Sequence, residues 1–281
     1  MTVYIGTSGW QYRHWRHTFY PQGVAQARWL EFFCERFQIV ELNNSFYSLY
    51  SLPKEETFAR WRERTPEDFV MAAKMSRYLT HIKKLQEPEE PVQRFFSRAR
   101  ALGDKLGPVL IQLPPTLKVD LRALDETLSL IPDGVRVSVE FRHASWWTDD
   151  VRAVLEKHGA ANCLADRGSK SITELWKTTD WTFLRFHAGV ASPPPCYHKR
   201  TLAEWMERLQ DQWGPDEDIY VFFNNDPRAC ALRDAVLFAG LCDEAGYPRT
   251  RVPTRREITV GDIDSAAWAA KSPLGARVRS G

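Results

Sequence analysis

A chain of 281 residues with 43% hydrophobic side chains can bury a sizeable core, which excludes disorder of the whole chain. A net charge of +2 neither demands a nucleic-acid partner nor argues against an anion held by a local cluster, so partners must be argued from sites. No run approaches the roughly 18 apolar residues of a membrane span, Met1 to Ile5 lack a basic region followed by an apolar signal core, and the five scattered cysteines, Cys34, Cys163, Cys196, Cys230 and Cys242, form no C-x-x-C pair. The expectation is reduced thiols in a soluble, cytoplasmic protein.

In chain order, the first β-rich run, 3–7, leads into Gly6-Thr7-Ser8-Gly9, small residues with hydroxyls and backbone amides. With Trp10 and Tyr12 beside it, this loop reads either as a seat for a flat ring and its anionic substituent or as a tight turn over two buried aromatics. Further strands are expected near 38–43, 69–74, 107–113, 135–142, 160–166, 181–187 and 219–225. Helical periodicity fills most gaps, over 25–37, 54–64, 91–105, 121–131, 148–158, 201–213 and 228–245, whereas the sixth strand is followed by a short segment with a doubtful helix. Trp29, Trp61, Trp205 and Trp213 fall on helical patterns and read as core. Ser192-Pro193-Pro194-Pro195 predicts a stiff, extended loop after the seventh strand.

Strand alternating with helix implies a parallel sheet, and eight such units favour closure into a single TIM-barrel-like (β/α)8 domain of the α/β class over residues 1–245. No G-x-G-x-x-G follows the first strand to support a dinucleotide fold. Beyond 245 the pattern fades into an Arg-rich C-terminal extension, 246–281, where Arg249, Arg251, Arg255 and Arg256 read as a solvated tail ahead of a nucleic-acid arm.

The informative residues are charges near strand ends. Side chains alternate across a strand, so Glu140 and Arg142 share one face while Val139 and Phe141 share the other. Glu41 and Asn43 repeat the arrangement against Val40 and Leu42, as do Arg185 and His187 against Leu184 and Phe186. Lys74, Gln112, Asp166, Asn224 and Asn225 also sit late in their strands. A barrel gathers strand C-termini into one mouth, so these scattered residues are expected to meet there. The competing reading is a buried ion-pair network that merely replaces an apolar layer, a costly substitute for well-packed hydrophobic residues.

Lys74, Arg142 and Arg185 balance Glu41, Glu140 and Asp166 if all six reach the cavity. If Asp166 points away, or if one Glu is protonated by its dry surroundings, the surplus positive charge suits phosphate or carboxylate. Glu140 is the first choice of general acid or base, tuned by Arg142 and Lys74, with His187 exchanging protons and Glu41 second. Trp10, Trp146 and Trp147, which follow strands, are candidates for the pocket wall, with Tyr12 and His81 for substrate binding. His81, His143, His187, Glu41, Glu140 and Asp166 offer a mixed nitrogen and oxygen set for a divalent cation, but no spacing compels one, and cofactor and metal ligands stay unassigned.

Several motifs in one order resemble the YecE-like family, a widespread domain of unknown function. They are Ile5-Gly6-Thr7-Ser8-Gly9-Trp10 with Tyr12, Trp15 and Phe19-Tyr20-Pro21; Glu41-Leu42-Asn43 with Ser45-Phe46-Tyr47; Thr80-His81; Leu106-Gly107-Pro108 with Gln112-Leu113-Pro114-Pro115; Glu140, Arg142, His143, Ser145 and Trp146; and Tyr220 to Asn225. The match spans about residues 4–240 and departs at Phe183, Ala188 and Asp234, where Tyr, Gly and Asn are usual. The resemblance implies a TIM-barrel-like fold and supplies no reaction. Three functional readings follow: an enzyme on a small anionic or phosphorylated compound, a metal-dependent phosphodiesterase or nucleic-acid-processing enzyme, and a non-catalytic metabolite- or nucleic-acid-binding barrel.

Overall fold

A computed structural model describes residues 2–43, 52–214 and 216–258. Eight strands, β1 (Val3–Thr7), β2 (Ile39–Leu42), β3 (Val70–Lys74), β4 (Leu106–Gln112), β5 (Val137–Glu140), β6 (Ala161–Arg167), β7 (Thr182–Ala188) and β8 (Ile219–Phe223), form a closed barrel in sequence order. Every pair is parallel, and β1 closes on β8 from Val3 opposite Ile219 to Thr7 opposite Phe223. The expected (β/α)8 barrel is the fold. Between strands lie α1 (Trp29–Arg36), α2 (Glu55–Glu63), α3 (Glu89–Ala99), α4 (Leu121–Ser129), α5 (Asp149–Lys157) and α6 (Lys199–Gln212), and α7 (Cys230–Glu244) follows β8. Their starts carry ordinary capping chemistry: Asp120 accepts from the Ala123 N–H at 3.0 Å and Thr148 from that of Val151 at 3.4 Å.

Two apolar layers result from strand alternation. Val40, Leu42, Val139, Phe141, Leu184 and Phe186 face outward and are buried with helix residues such as Phe33, Leu155 and Trp205. Inside the barrel, Ile39, Ala72, Leu110, Cys163, Phe183, Tyr220 and Phe222 fill the lower lumen. Phe183 lies 4.8 Å from Phe222 between ring centroids, and Tyr4 stacks on Tyr220 at 4.6 Å. Gly6 lets β1 approach β2, since a Cβ there would come within 2.5 Å of the Ile39 carbonyl oxygen.

No helix joins β6 to β7 in this structure. That segment instead lies along β6, where Thr173 and Thr178 hydroxyls accept from the Ala165 and Asn162 amides, both at 3.0 Å.

Three expectations are corrected. The Ser192–Pro195 run folds back on itself, because the Gly189 and Ala191 amides donate to the carbonyls of Pro195 and Cys196, each at 2.8 Å. Cys196 and Cys230 are joined in a disulfide, so two of the five thiols are not free; Cys34, Cys163 and Cys242 are buried and free. The extension after 245 begins as part of the barrel. Val3 pairs with Pro248 and Thr250 through backbone bonds of 2.9 and 3.0 Å, Arg249 pairs with Asp243 at 2.8 Å, and Arg251 pairs with Asp68. Its remainder, 259–281, lies outside the described residues, as do Ser45, Phe46 and Tyr47. No described helix is long and apolar enough to cross a membrane.

Asp234 in α7 shows what its departure from the family pattern does. It is fully buried, accepts from the Tyr197 amide at 2.8 Å and the Asn225 side chain at 2.7 Å, and burial pushes its carboxyl up to about 7. A raised folded pKa means that the penalty is absent below the unfolded value near 3.8 and grows as pH climbs toward 7. Asp234→Asn, which keeps an acceptor oxygen, is expected to raise stability by roughly 1–3 kcal/mol at pH 8. The gain should shrink to nothing below pH 4, as read from urea unfolding midpoints at the two pH values.

Candidate functional site

The strands deliver their polar ends to one rim. Arg185, from β7, is the hub: its Nε and Nη2 donate to Glu41 Oε2 and Oε1 at 2.9 and 2.7 Å, a two-pronged pairing across the lumen. Its Nη1 donates to Glu140 Oε2 at 2.6 Å and approaches Gln112 Oε1 at 3.3 Å. Arg185, Glu41 and Glu140 are all essentially inaccessible, at 1%, 0% and 0% exposure. Burial works against the guanidinium's charge, but Glu41 and Glu140 outweigh it and raise its pKa further.

Around this hub, Arg142 donates through Nε to Glu140 Oε1 at 2.8 Å, and its Nη2 lies 2.7 Å from the same oxygen as an ion pair. His187 Nε2 lies 3.1 Å from that oxygen, and Asn224 Nδ2 lies 3.1 Å from His187 Nδ1. Because the amide of Asn224 donates to Nδ1, the ring proton is assigned to Nε2 and points at Glu140. The 3.4 Å approach of Arg142 Nη2 to Nε2 is then a contact between two donors. Burial lowers the His187 pKa to about 4 despite Glu140, so the ring is neutral at pH 7.

Burial also acts on Glu140, pushing its pKa up, yet Arg185, Arg142 and His187 together overcome it and hold the group well below the usual range. Both its oxygens are occupied by donors. Glu140 is therefore an anion that orders its neighbours, with Arg142 and His187 on Oε1 and Arg185 on Oε2.

Lys74, from β3, donates to Gln112 Oε1 at 2.8 Å and is 4% exposed. Burial, then Arg185, lowers its pKa to about 7 against the opposing pull of Glu41 and Glu140. Ser8 Oγ reaches Glu41 Oε2 at 3.3 Å, and Asn43 Nδ2 donates to the Ser8 carbonyl at 3.0 Å, which fixes the β1 loop to the β2 end. His81 is half-buried with Thr80 Oγ1 2.9 Å from its Nδ1; burial, then the charges of Arg77, Lys74 and Arg142, takes its pKa to about 4. It belongs to the rim.

Thus Glu41, Asn43, Lys74, Gln112, Glu140, Arg142, Arg185, His187, Asn224 and His81 come together. Asp166 does not. It faces the helix layer, where its oxygens accept from Tyr197 Oη at 2.9 Å and Trp205 Nε1 at 2.7 Å. Asn225 likewise turns outward and holds the Pro195 carbonyl at 3.0 Å. Trp10 and Trp146 are core residues, 2% and 0% exposed, the first edge-on to Trp61 and the second stacked on Phe141 with Nε1 on the Leu117 carbonyl at 2.8 Å. Tyr12 packs on Trp15 at 4.7 Å and donates to the Ser8 carbonyl, so it braces the loop.

Ser8, from the loop read as a possible anion seat, lies at the rim, and one rim residue escaped the sequence reading: Arg167, an exposed residue ending β6 whose electrostatic neighbours include Arg142, Glu140 and Arg185. Counting two positions on from Cys163 and Ala165 along β6 was the signal for Arg167. Among the described residues no group of three or more His, Cys, Asp or Glu is arranged to hold a metal ion.

A family model for a protein of unknown function, DUF72, matches residues 4–257. The UPF0759 protein YunF of Bacillus subtilis (strain 168) is 25% identical over 260 residues, covering 80% of this chain and 89% of YunF. The UPF0759 protein YecE of Escherichia coli (strain K12) is 32% identical over 146 residues, covering 52% of this chain and 50% of YecE. A crystal structure of a DUF72 family protein from Thermotoga maritima matches with a TM-score of 0.73 at 26% identity, covering 86% of this chain and 100% of that one.

Proposed function

The chain belongs to the DUF72 family, and within that family, whose description names no reaction, we propose that its barrel mouth binds a small anionic compound, phosphorylated or carboxylated, and acts on it chemically. The observation that carries this reading is the charge left over at the rim. Asp166 is turned away, so Lys74, Arg142 and Arg185 face only Glu41 and Glu140, and Arg167 adds a further cation nearby. Arg185 is fully engaged by the two carboxylates. Arg142 is 22% exposed and its Nη1 has no partner among the described residues, which makes it the open end of the cluster. A planar donor at the edge of a low-dielectric cavity is suited to a phosphate or carboxylate oxygen.

Chemistry at the mouth then falls to Lys74, the rim group whose proton is exchangeable near pH 7, with Glu140 and Asn224 holding His187 in one orientation. Nucleic acid is less well supported: Arg249 and Arg251, the first arginines of the expected basic arm, are paired with Asp243 and Asp68.

Isothermal titration with inorganic phosphate, simple phosphate monoesters and short dicarboxylates tests the reading. Arg142→Gln leaves Glu140 paired with Arg185 and His187, so the fold should persist while affinity for the best anion falls at least about tenfold. A mouth indifferent to every anion, or Arg142→Gln binding as tightly as the native chain, counts against it.

A further inference from the structure

Cys196 and Cys230 join the loop that follows β7 to the start of α7. A barrel with so large a buried core has no need of a covalent staple, and Cys34, Cys163 and Cys242 are left free. What the bond ties together is specific. Traced back along the chain, the Cys196 loop starts at the end of β7 with His187, and the Cys230 loop starts just after β8 with Asn224. Those two residues meet at the rim, Asn224 Nδ2 lying 3.1 Å from His187 Nδ1. One pair of loops is thus clasped twice, by a hydrogen bond inside the site and by a covalent bond outside it.

The second loop carries backbone strain against the covalent clasp. Arg228 and Ala229, immediately before Cys230, have φ values of 60° and 59°, a left-handed conformation that non-glycine residues keep only where their surroundings impose it. Weaker ties remain when the disulfide is gone: the Gly189 amide and Asn225 Nδ2 donate to the Pro195 carbonyl at 2.8 and 3.0 Å, and the Tyr197 amide donates to Asp234 at 2.8 Å. Loss of the covalent bond therefore frees the turn while the barrel stays folded.

We propose that Cys196–Cys230 is a redox switch: its reduction by a dithiol relaxes the Arg228–Ala229 turn, withdraws Asn224 from His187 and lets the imidazole at the mouth change tautomer. One thiolate of the reductant attacks Cys230 Sγ, and the S–S electron pair leaves on Cys196 Sγ, which takes up a proton. The second thiol of the reductant then resolves the mixed disulfide, so the dithiol is oxidised to a disulfide and both cysteines become thiols. Both sulfurs belong to residues with no exposure, so the exchange proceeds through opening of the proline loop. At the site, the ring that gives up its proton on Nε2 no longer donates to Glu140 Oε1, 3.1 Å away. The switch operates whether or not an anion occupies the mouth.

The test reads both clasps on the full chain. Protein purified without thiols is alkylated in denaturant and peptide-mapped, and nitrogen-resolved NMR spectra of the imidazole rings are recorded before and after dithiothreitol, with His187 identified by its loss in His187→Gln. The expected result is a Cys196–Cys230 linked peptide before reduction and none after it. The share of His187 protonated at Nδ1 should rise from about a tenth or less to at least about a third. The double variant Cys196→Ser with Cys230→Ser should hold the raised share with or without the dithiol; if it does not fold, the reduced native chain still decides. Cysteines that stay unlinked after treatment with oxidised dithiothreitol would overturn the proposal. So would a linked chain whose reduction leaves the His187 ring unchanged, which would make the bond a staple only.

Discussion

Arg185→Gln is expected to destabilise the fold by roughly 3–5 kcal/mol, among the largest losses available to a single substitution here. Glu41 and Glu140 are both inaccessible to water, and Arg185 supplies three bonds of 2.6–2.9 Å between them. Removing the guanidinium leaves two buried carboxylates facing one another across the lumen, with Ser8, Arg142 and His187 as their remaining donors. The deficit comes from uncompensated charge, so a second change should recover part of it. Arg185→Gln combined with Glu41→Gln is expected to be more stable than Arg185→Gln alone. Urea unfolding with an unchanged slope measures both, and a loss below about 1 kcal/mol for the single variant would show that water reaches the carboxylates after all.

Glu140→Gln should be comparably damaging at pH 7, by roughly 3–5 kcal/mol, because Arg142, Arg185 and His187 all direct donors at the carboxylate. Its pH dependence gives the sharper result. Glu140 is held well below its ordinary value of 4.5, so the stability that it contributes is fully present above that value and is lost as pH falls through the folded one. The native chain should therefore weaken in acid faster than Glu140→Gln, and the two stability curves should approach each other as pH drops below 4. Curves that stay parallel would mean that Glu140 is not the ionised partner that its hydrogen bonds require.

The architecture was legible because periodicity is a strong signal on buried strands and amphipathic helices. Each of the eight strands fell within a few residues of its expected place, the widest error being β5, which stops at Glu140 and leaves Arg142 just beyond the strand. Pairwise alternation found the partners Glu41 with Asn43 and Arg185 with His187, because their flanking residues are large and apolar. It gave no such help on β6, where Ala161, Cys163 and Ala165 inside face Leu164 outside with little contrast, and Asp166 was assigned to the wrong side. Asn225 was misplaced through proximity to Asn224, although adjacent residues on an extended chain point apart. The outward placement of Trp10 and Trp146 depends on loop geometry, for which local sequence carries no period. The Cys196–Cys230 bond joins residues 34 apart through the return of the proline loop to α7, a meeting visible only in three dimensions.

The packed aromatic floor beneath Arg185 has one more consequence. Phe183, Phe222, Leu110 and Tyr220, none more than 6% exposed, pack together in the lower lumen, so among the described residues the acidic pair at the centre is backed by apolar side chains on that side. An occupant seated against Arg142, the more exposed end of the cluster, would cover it from the other side. Deuterium exchange at the ring of His187 and at the amine of Lys74 should then slow together, which makes the rate at which the interior wets a direct gauge of occupancy.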